Sequence, residues 1–197
     1  MNQENVDVSY VWNQVVPQLE QSLNKPIYET LISSTKPLSQ QEGIIFKTIN
    51  GLKGIELETD THPGFMTDWQ QPFTVVLTQA EGTSVVHETV YEERFGYTET
   101  LKNMGADITL FSNCLGEINC RFKGMNYKHA AVINGSTPLK ASPIVVPDIR
   151  AGLAFVIAAL VADGESVLTG IEHLDRGYEK LEEKLKDLGA NIRRVEE

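Results

Sequence analysis

Thiols are scarce: Cys114 and Cys120 are the only two in 197 residues. That excludes a disulfide-stapled secreted scaffold, which needs more of them. Their spacing, Cys114-x5-Cys120, is poor for a zinc site, and His129 is the only histidine near them in the sequence. They read as two ordinary thiols around a loop, with no catalytic assignment. His62, His87, His129 and His173 are spread out and suggest no metal or triad arrangement. Neither a metal nor a cofactor is expected. No apolar run approaches the ~18 residues of a membrane span. The longest, near Leu153 to Ala162, is too short, so no membrane partner is expected. Residues 1 to 20 lack a basic segment leading into an apolar one, so no signal peptide is expected and the expected location is cytoplasmic. Basic residues are outnumbered, 17 Lys and Arg against 27 Asp and Glu, for a net charge of −10. Such a surface repels phosphate backbones, which argues against a nucleic-acid partner. A Gly-rich phosphate loop, a GxSxG elbow and a CxxC pair are all missing.

What is present is ordinary in bulk. Apolar residues make up 41% and charged residues 22%, as in soluble globular chains. The length suffices for one or two domains around a sizeable core. Val11, Val15, Val16, Leu19 and Leu23 recur at helical spacing, with Pro17 awkward among them. Ile27 to Ser33 reads as a strand and residues 34 to 42 as a polar loop. Ile44 to Ile49 and Ile55 to Glu58 read as strands joined at Asn50-Gly51. A helix is expected after Asp68, a strand over Ser84 to Glu88, a helix over Tyr97 to Met104 and a strand over Asp107 to Phe111. Gly105 sits where a left-handed residue ends a helix. Residues 111 to 130, with both cysteines, Arg121, Lys123 and Lys128, read as an elongated surface hairpin of no assigned role.

The stretch Thr61 to Gln70 links the strand at Ile55 to that first helix through a Pro63-Gly64 turn. Asp68 then falls near the helix N-terminus, where unpaired N–H groups favour negative charge. Two readings stand side by side: Thr67 or Asp68 is a helix cap, or Asp68 is a working carboxylate. Similarly, Asp148 and Arg150 either cap a helix start or bind an anion. Arg176 either pairs with Asp175 or Glu179 at the surface or binds an anion too.

The sequence also repeats itself. Ala80-Glu81-Gly82-Thr83-Ser84-Val85-Val86 matches Ala162-Asp163-Gly164-Glu165-Ser166-Val167-Leu168. Arg94-Phe95-Gly96-Tyr97 matches Arg176-Gly177-Tyr178, and Leu101 to Ile108 matches Leu185 to Ile192. The offset is 82 residues at Gly82 and Arg94, and 84 at Gly105. It sets Asp68 opposite Arg150. Each unit is expected to run strand, helix, strand, strand, helix, strand.

Four motifs in order carry a resemblance. They are His62-Pro63-Gly64-Phe65-x-Thr67-Asp68-x-Gln70, Glu88 to Phe95, Pro147-Asp148-Ile149-Arg150-Ala151-Gly152, and His173-Leu174-Asp175-Arg176-Gly177-Tyr178 onwards. Together they resemble the enolpyruvyl transferases, and within them the branch that acts on UDP-N-acetylglucosamine. The resemblance covers about residues 43 to 197. It implies an α/β fold, an inside-out barrel of βαββαβ repeats with helices buried at the centre. One domain would span residues 1–197, as a partial repeat 1–50 and repeats 51–130 and 131–197. The apolar helix from Leu153 to Val161 suits a helix buried on all sides.

The resemblance also implies the chemistry. The enolpyruvyl group of phosphoenolpyruvate passes to the 3-hydroxyl of UDP-N-acetylglucosamine, the first committed step of peptidoglycan synthesis. Asp68 takes the base role, and Val90 contacts the nucleotide sugar largely through its backbone. Arg150 and Arg176 match anion-binding arginines, and Tyr91, Arg94 and Asp148 stand with them as substrate-binding candidates. The family's catalytic cysteine belongs to another domain, and neither cysteine here lies in such a loop. The chain by itself is therefore expected to lack activity and to bind weakly, unless another chain supplies that domain. Alternatives are a catalytically silent nucleotide-sugar or partner-binding module, and a relative of the shikimate-pathway branch.

Overall fold

The computed structural model describes residues 51–118 and 120–195. The helix, strands and loop expected before residue 50 lie outside the described residues.

Strand β1 (Glu56–Glu58) is short and alternating, and turns only Leu57 inward. Helix α1 (Thr67–Thr78) follows, then strand β2 (Gly82–His87), parallel to β1. A 3-10 turn (Arg94–Tyr97) leads into helix α2 (Thr98–Asn103). Gly105 ends that segment at φ +106°, a conformation that costs little only without a Cβ. Strands β3 (Asp107–Phe111) and β4 (Ala130–Gly135) are antiparallel to each other, and β4 also pairs antiparallel with β2. The sheet order is therefore β1-β2-β4-β3.

A second group of elements follows. Strand β5 (Pro143–Val145) is parallel to strand β6 (Val167–Thr169), and helix α3 (Ile149–Val161) connects them. Two short helices close the described chain, α4 (Glu172–Asp175) and α5 (Leu181–Asp187). α1 packs against α3 on one side and against β4 and β2 on the other. One core runs through both groups, from Leu57, Val75, Val86, Leu101 and Ile133 to Ile144, Ala154 and Phe155.

Three expectations change. The first unit runs strand, helix, strand, helix, strand, strand, with a single strand between its helices where a pair was expected. Residues 112–129 are not an elongated surface hairpin. β3 and β4 form the ladder, and the loop between them folds inward, burying Cys120, Phe122 and His129. Phe122 is the reason: it packs on both Tyr127 and His129, and the loop's lysines stay exposed. Helix α3 is not buried on all sides, because Leu160 and Val161 at its C-terminal end are 38% and 45% exposed among the described residues.

Candidate functional site

The site forms where α1 and α3 begin. Helix α1 starts without a side-chain cap: Met66 precedes it, and the carbonyl of Met66 accepts from the Trp69 N–H at 3.0 Å. Thr67 and Asp68 are thereby freed for other partners, which decides against the capping reading. Pro72 removes a further N–H, the one that would have bonded the Asp68 carbonyl. The Thr67 hydroxyl donates to Glu88 Oε2 at 2.8 Å and accepts from Arg94 Nε at 3.0 Å.

Asp68 Oδ1 collects two cations. Arg94 reaches it at 2.5 Å and Arg150 Nε at 3.2 Å. The two arginines differ. The Arg94 side chain is 5% exposed and Arg150 47%. Burying a guanidinium is costly unless it is paired. Arg94 meets that condition with Asp68, with Thr67 and with the Tyr91 ring, 4.6 Å below its Cζ.

Glu88, fully buried just past β2, shapes the loop between these groups. Its Oε1 accepts the backbone N–H groups of Val90 and Tyr91, both at 2.9 Å. Its other oxygen accepts a hydrogen bond from the Thr67 hydroxyl. One carboxylate thus ties the start of α1 to the turn that carries Val90, Tyr91 and Arg94.

Helix α3 starts differently. Asp148 is a true cap, accepting from the N–H groups of Arg150 at 2.7 Å and Ala151 at 3.0 Å. Arg176 follows the last residue of α4, where its backbone N–H donates to the Leu174 carbonyl, and its side chain forms no hydrogen bond or ion pair among the described residues. Its neighbour Gly177 lies so close to Ile149 that a Cβ there would overlap that side chain. Tyr178 follows. Burial, and then the nearby charge of Asp68, push its phenol upward in pKa. The loop of Arg176 therefore lies against the start of α3, on the side of Asp68. Of the seven candidates from the sequence, Asp68, Arg94 and Arg150 are in direct contact. Tyr91 lies under Arg94, Val90 neighbours it on the Glu88-held turn, Asp148 caps the helix of Arg150, and Arg176 stands apart from the ion pairs.

Two contributors escaped the sequence reading, Thr67 and Glu88. Both lie in the quoted motifs, but nothing in their spacing said that they bond each other. The histidine reading needs correction. His62 and His173 join no metal-ligand group among the described residues, whereas His87 and His129 come together with both cysteines.

The profile of a family described as EPSP synthase (3-phosphoshikimate 1-carboxyvinyltransferase) matches residues 33–185. The chain belongs to this family of enolpyruvyl transferases. A UDP-N-acetylglucosamine 1-carboxyvinyltransferase of Protochlamydia amoebophila is 60% identical over 144 residues, 73% of this chain and 31% of that protein. The protein of the same name from Chlamydia abortus is 51% identical over 180 residues, 90% of this chain and 40% of that one. The chain thus spans well under half the length of these relatives. Among solved structures, the enolpyruvyl transferase NikO from Streptomyces tendae is similar at a TM-score of 0.59 and 27% identity, covering 73% of this chain and 29% of that one. No helix among the described residues is long and apolar enough to cross a membrane.

Proposed function

We propose that this enolpyruvyl transferase chain carries one wall of a site that moves the enolpyruvyl group of phosphoenolpyruvate to the 3-hydroxyl of UDP-N-acetylglucosamine. The observation that carries the reading is the sharing of one Asp68 oxygen by Arg94 and Arg150, beside the Glu88-held turn of Val90 and Tyr91. The names of the 51–60% identical relatives favour the sugar-nucleotide acceptor over 3-phosphoshikimate. On this reading the reaction is the first committed step of peptidoglycan synthesis, in the cytoplasm.

The roles follow from chemistry. Asp68 accepts the proton as the sugar hydroxyl forms its C–O bond, and its 62% exposed side chain is open to a ligand. Arg94, Arg150 and Arg176 hold the carboxylate and phosphate charges, for which the planar guanidinium fork is suited. The Val90 backbone and Tyr91 line the nucleotide-sugar side, and Asp148 acts through the α3 start it caps. The proton for the phosphoenolpyruvate methylene comes from an acid that this wall lacks, because both cysteines of the chain lie beyond the far end of β2. A separate polypeptide bearing the family's cysteine loop would be the partner. The barrel and its repeats at 1–50, 51–130 and 131–197 belong to the same proposal. Their support is the packing of α1 on α3 and the parallel β1-β2 and β5-β6 pairs.

Calorimetric titration with UDP-N-acetylglucosamine tests the site. Weak binding is expected, reduced at least about tenfold in Arg150→Ala, since one wall supplies only part of the contacts. Phosphate release with both substrates should not exceed that of Asp68→Ala. Binding that ignores both substitutions would overturn the site. Turnover well above the control would show that the chain is catalytically sufficient. Binding of 3-phosphoshikimate alone would move it to the other branch.

A further inference from the structure

The far end of the four-stranded sheet holds a second cluster. β2 ends at His87, which the ladder places opposite Glu58 of β1 and Ala130 of β4. His129, one residue before β4, therefore comes beside His87, with ring centroids 5.6 Å apart. The loop between β3 and β4 returns Cys114 and Cys120 to the same point. One ligand atom from each of the four residues lies within 4.8 Å of all the others. Cys114 Sγ is 3.5 Å from His129 Nε2. Both histidines are fully buried, Cys120 is buried and Cys114 is half-buried.

The ring nitrogens are already sorted. His87 Nδ1 faces the Glu58 carboxylate at 2.8 Å, and His129 Nδ1 faces the Tyr127 carbonyl at 2.8 Å. Both outer partners are acceptors, so each Nδ1 carries the proton and each Nε2 presents a lone pair. His87 Nε2 is buried and has no hydrogen-bond partner. A buried, unpartnered imidazole nitrogen is costly, and native interiors seldom leave one.

We propose that His87, Cys114, Cys120 and His129 bind one zinc ion in a closed structural site. Two thiolates and two imidazoles form a Cys2His2 tetrahedron, and bonds of about 2.0–2.3 Å set ligand–ligand edges near 3.3–3.8 Å. The 3.5 Å Cys114–His129 distance already falls in that range, and the widest separation needs to close by about 1 Å. Four protein ligands leave no open position, so the ion is structural and not catalytic.

The outer shell has the form that a metal-binding histidine requires. Glu58 orients His87 and is itself held by the N–H groups of Glu117 at 2.7 Å and Ile118 at 3.1 Å. Gly116 permits this approach, because a Cβ there would overlap the Glu58 carboxylate and crowd His87 Nδ1. Phe122 covers the His129 ring at 5.7 Å. The ion would also steady the candidate site from a distance. His87 directly precedes Glu88, and Arg121 of the cysteine loop pairs with Glu92 at 3.3 Å.

The test uses the full chain, purified reduced and without chelator. Elemental analysis should find one zinc per chain. After stripping with acid and chelator, Co2+ titration should give the intense visible absorption of a tetrahedral ion plus a thiolate charge-transfer band. Both should saturate at one equivalent and be displaced by Zn2+. Cys114→Ser, at a half-exposed position, should weaken that charge-transfer band. Glu58→Gln should keep the stoichiometry but weaken affinity about 10–100-fold. Wild-type protein that folds, keeps both thiols reduced and binds no cobalt would overturn the proposal. So would a six-coordinate cobalt spectrum, or a stable Cys114–Cys120 disulfide formed in the presence of excess Zn2+.

Discussion

The two strand-helix-strand groups share a plan but not an interior. In both, a parallel strand pair is bridged by a helix, and α1 and α3 pack on each other. The register offset is 87 residues at the first strand and 82 at the second, so the second group has five residues fewer before its second strand. The first group adds β3 and β4 and seals its core. The second adds α5, which buries no residue among those described. The helix starts divide in the same way. α3 is capped by its own Asp148, whereas α1 gives up its cap and offers Asp68 to two arginines. Sequence repetition therefore fixes where a side chain sits along the unit, and its partners decide what it does there.

The largest expected effect tests whether the core is shared. Phe155→Ala, in the second group but in the joint core, should cost about 3–5 kcal/mol in denaturant unfolding and lower the stability of both groups together. Leu185→Ala on α5 should cost only about 1 kcal/mol, because its side chain is half-buried. Two separate unfolding transitions would break the comparison.

A smaller effect contrasts the cations. Arg94→Met should lose about 2 kcal/mol, since a buried charged donor leaves Thr67 and Asp68 unmatched. Arg150→Ala should change stability by less than about 0.5 kcal/mol, as for other exposed pairs. Equal losses would mean that the carboxylate does not distinguish them.

The helix caps come next. Asp148→Ala should cost about 1 kcal/mol and Asp148→Ser much less, measured by thermal unfolding. Rescue by serine is the decisive arm, because an electrostatic role for Asp148 would not be restored by a neutral hydroxyl.

The smallest effect concerns the end of the described chain. Arg194 holds the carboxyls of Asp175 and Glu182 below their ordinary range. Depressed carboxyl pKa values add stability that is present above the ordinary carboxylate range and lost as pH falls through it. The groups are exposed, so the contribution is under about 1 kcal/mol. The protection of the amides over residues 181–195, taken relative to their intrinsic exchange rates, should therefore fall on acidification to below about pH 4, and Arg194→Ala should remove that dependence.

Much of the first group was legible because its signals are local. The Pro63-Gly64 turn, the left-handed Gly105 and the alternation at Leu57 each act within a few residues. The repeat then brought Asp68 and Arg150 to equivalent helix starts without any knowledge of contacts. Other features were not legible, since they depend on register. Glu88 meets Thr67 across 21 positions, and His87 meets Glu58 across 29. The cysteine pair looked wrong for a metal because the histidines complete it through a sheet and not through spacing. The exposure of Leu160 and Val161 could not be read either, because an apolar run does not say how many of its sides find a neighbour.

The unequal burial of the two arginines has a thermodynamic consequence. Arg94 is held in place by its buried contacts, whereas the side chain of Arg150 is 47% exposed and Arg176 is exposed as well. An anion captured by Arg94 meets a donor whose ordering cost was met during folding. One captured by Arg150 or Arg176 must immobilise the side chain at that moment, at up to about 2 kcal/mol of entropy each. On the proposed function, binding at this mouth should accordingly combine one preset contact with two that tighten only as the ligand arrives, and its entropy should become more unfavourable as more of the ligand's charges are engaged.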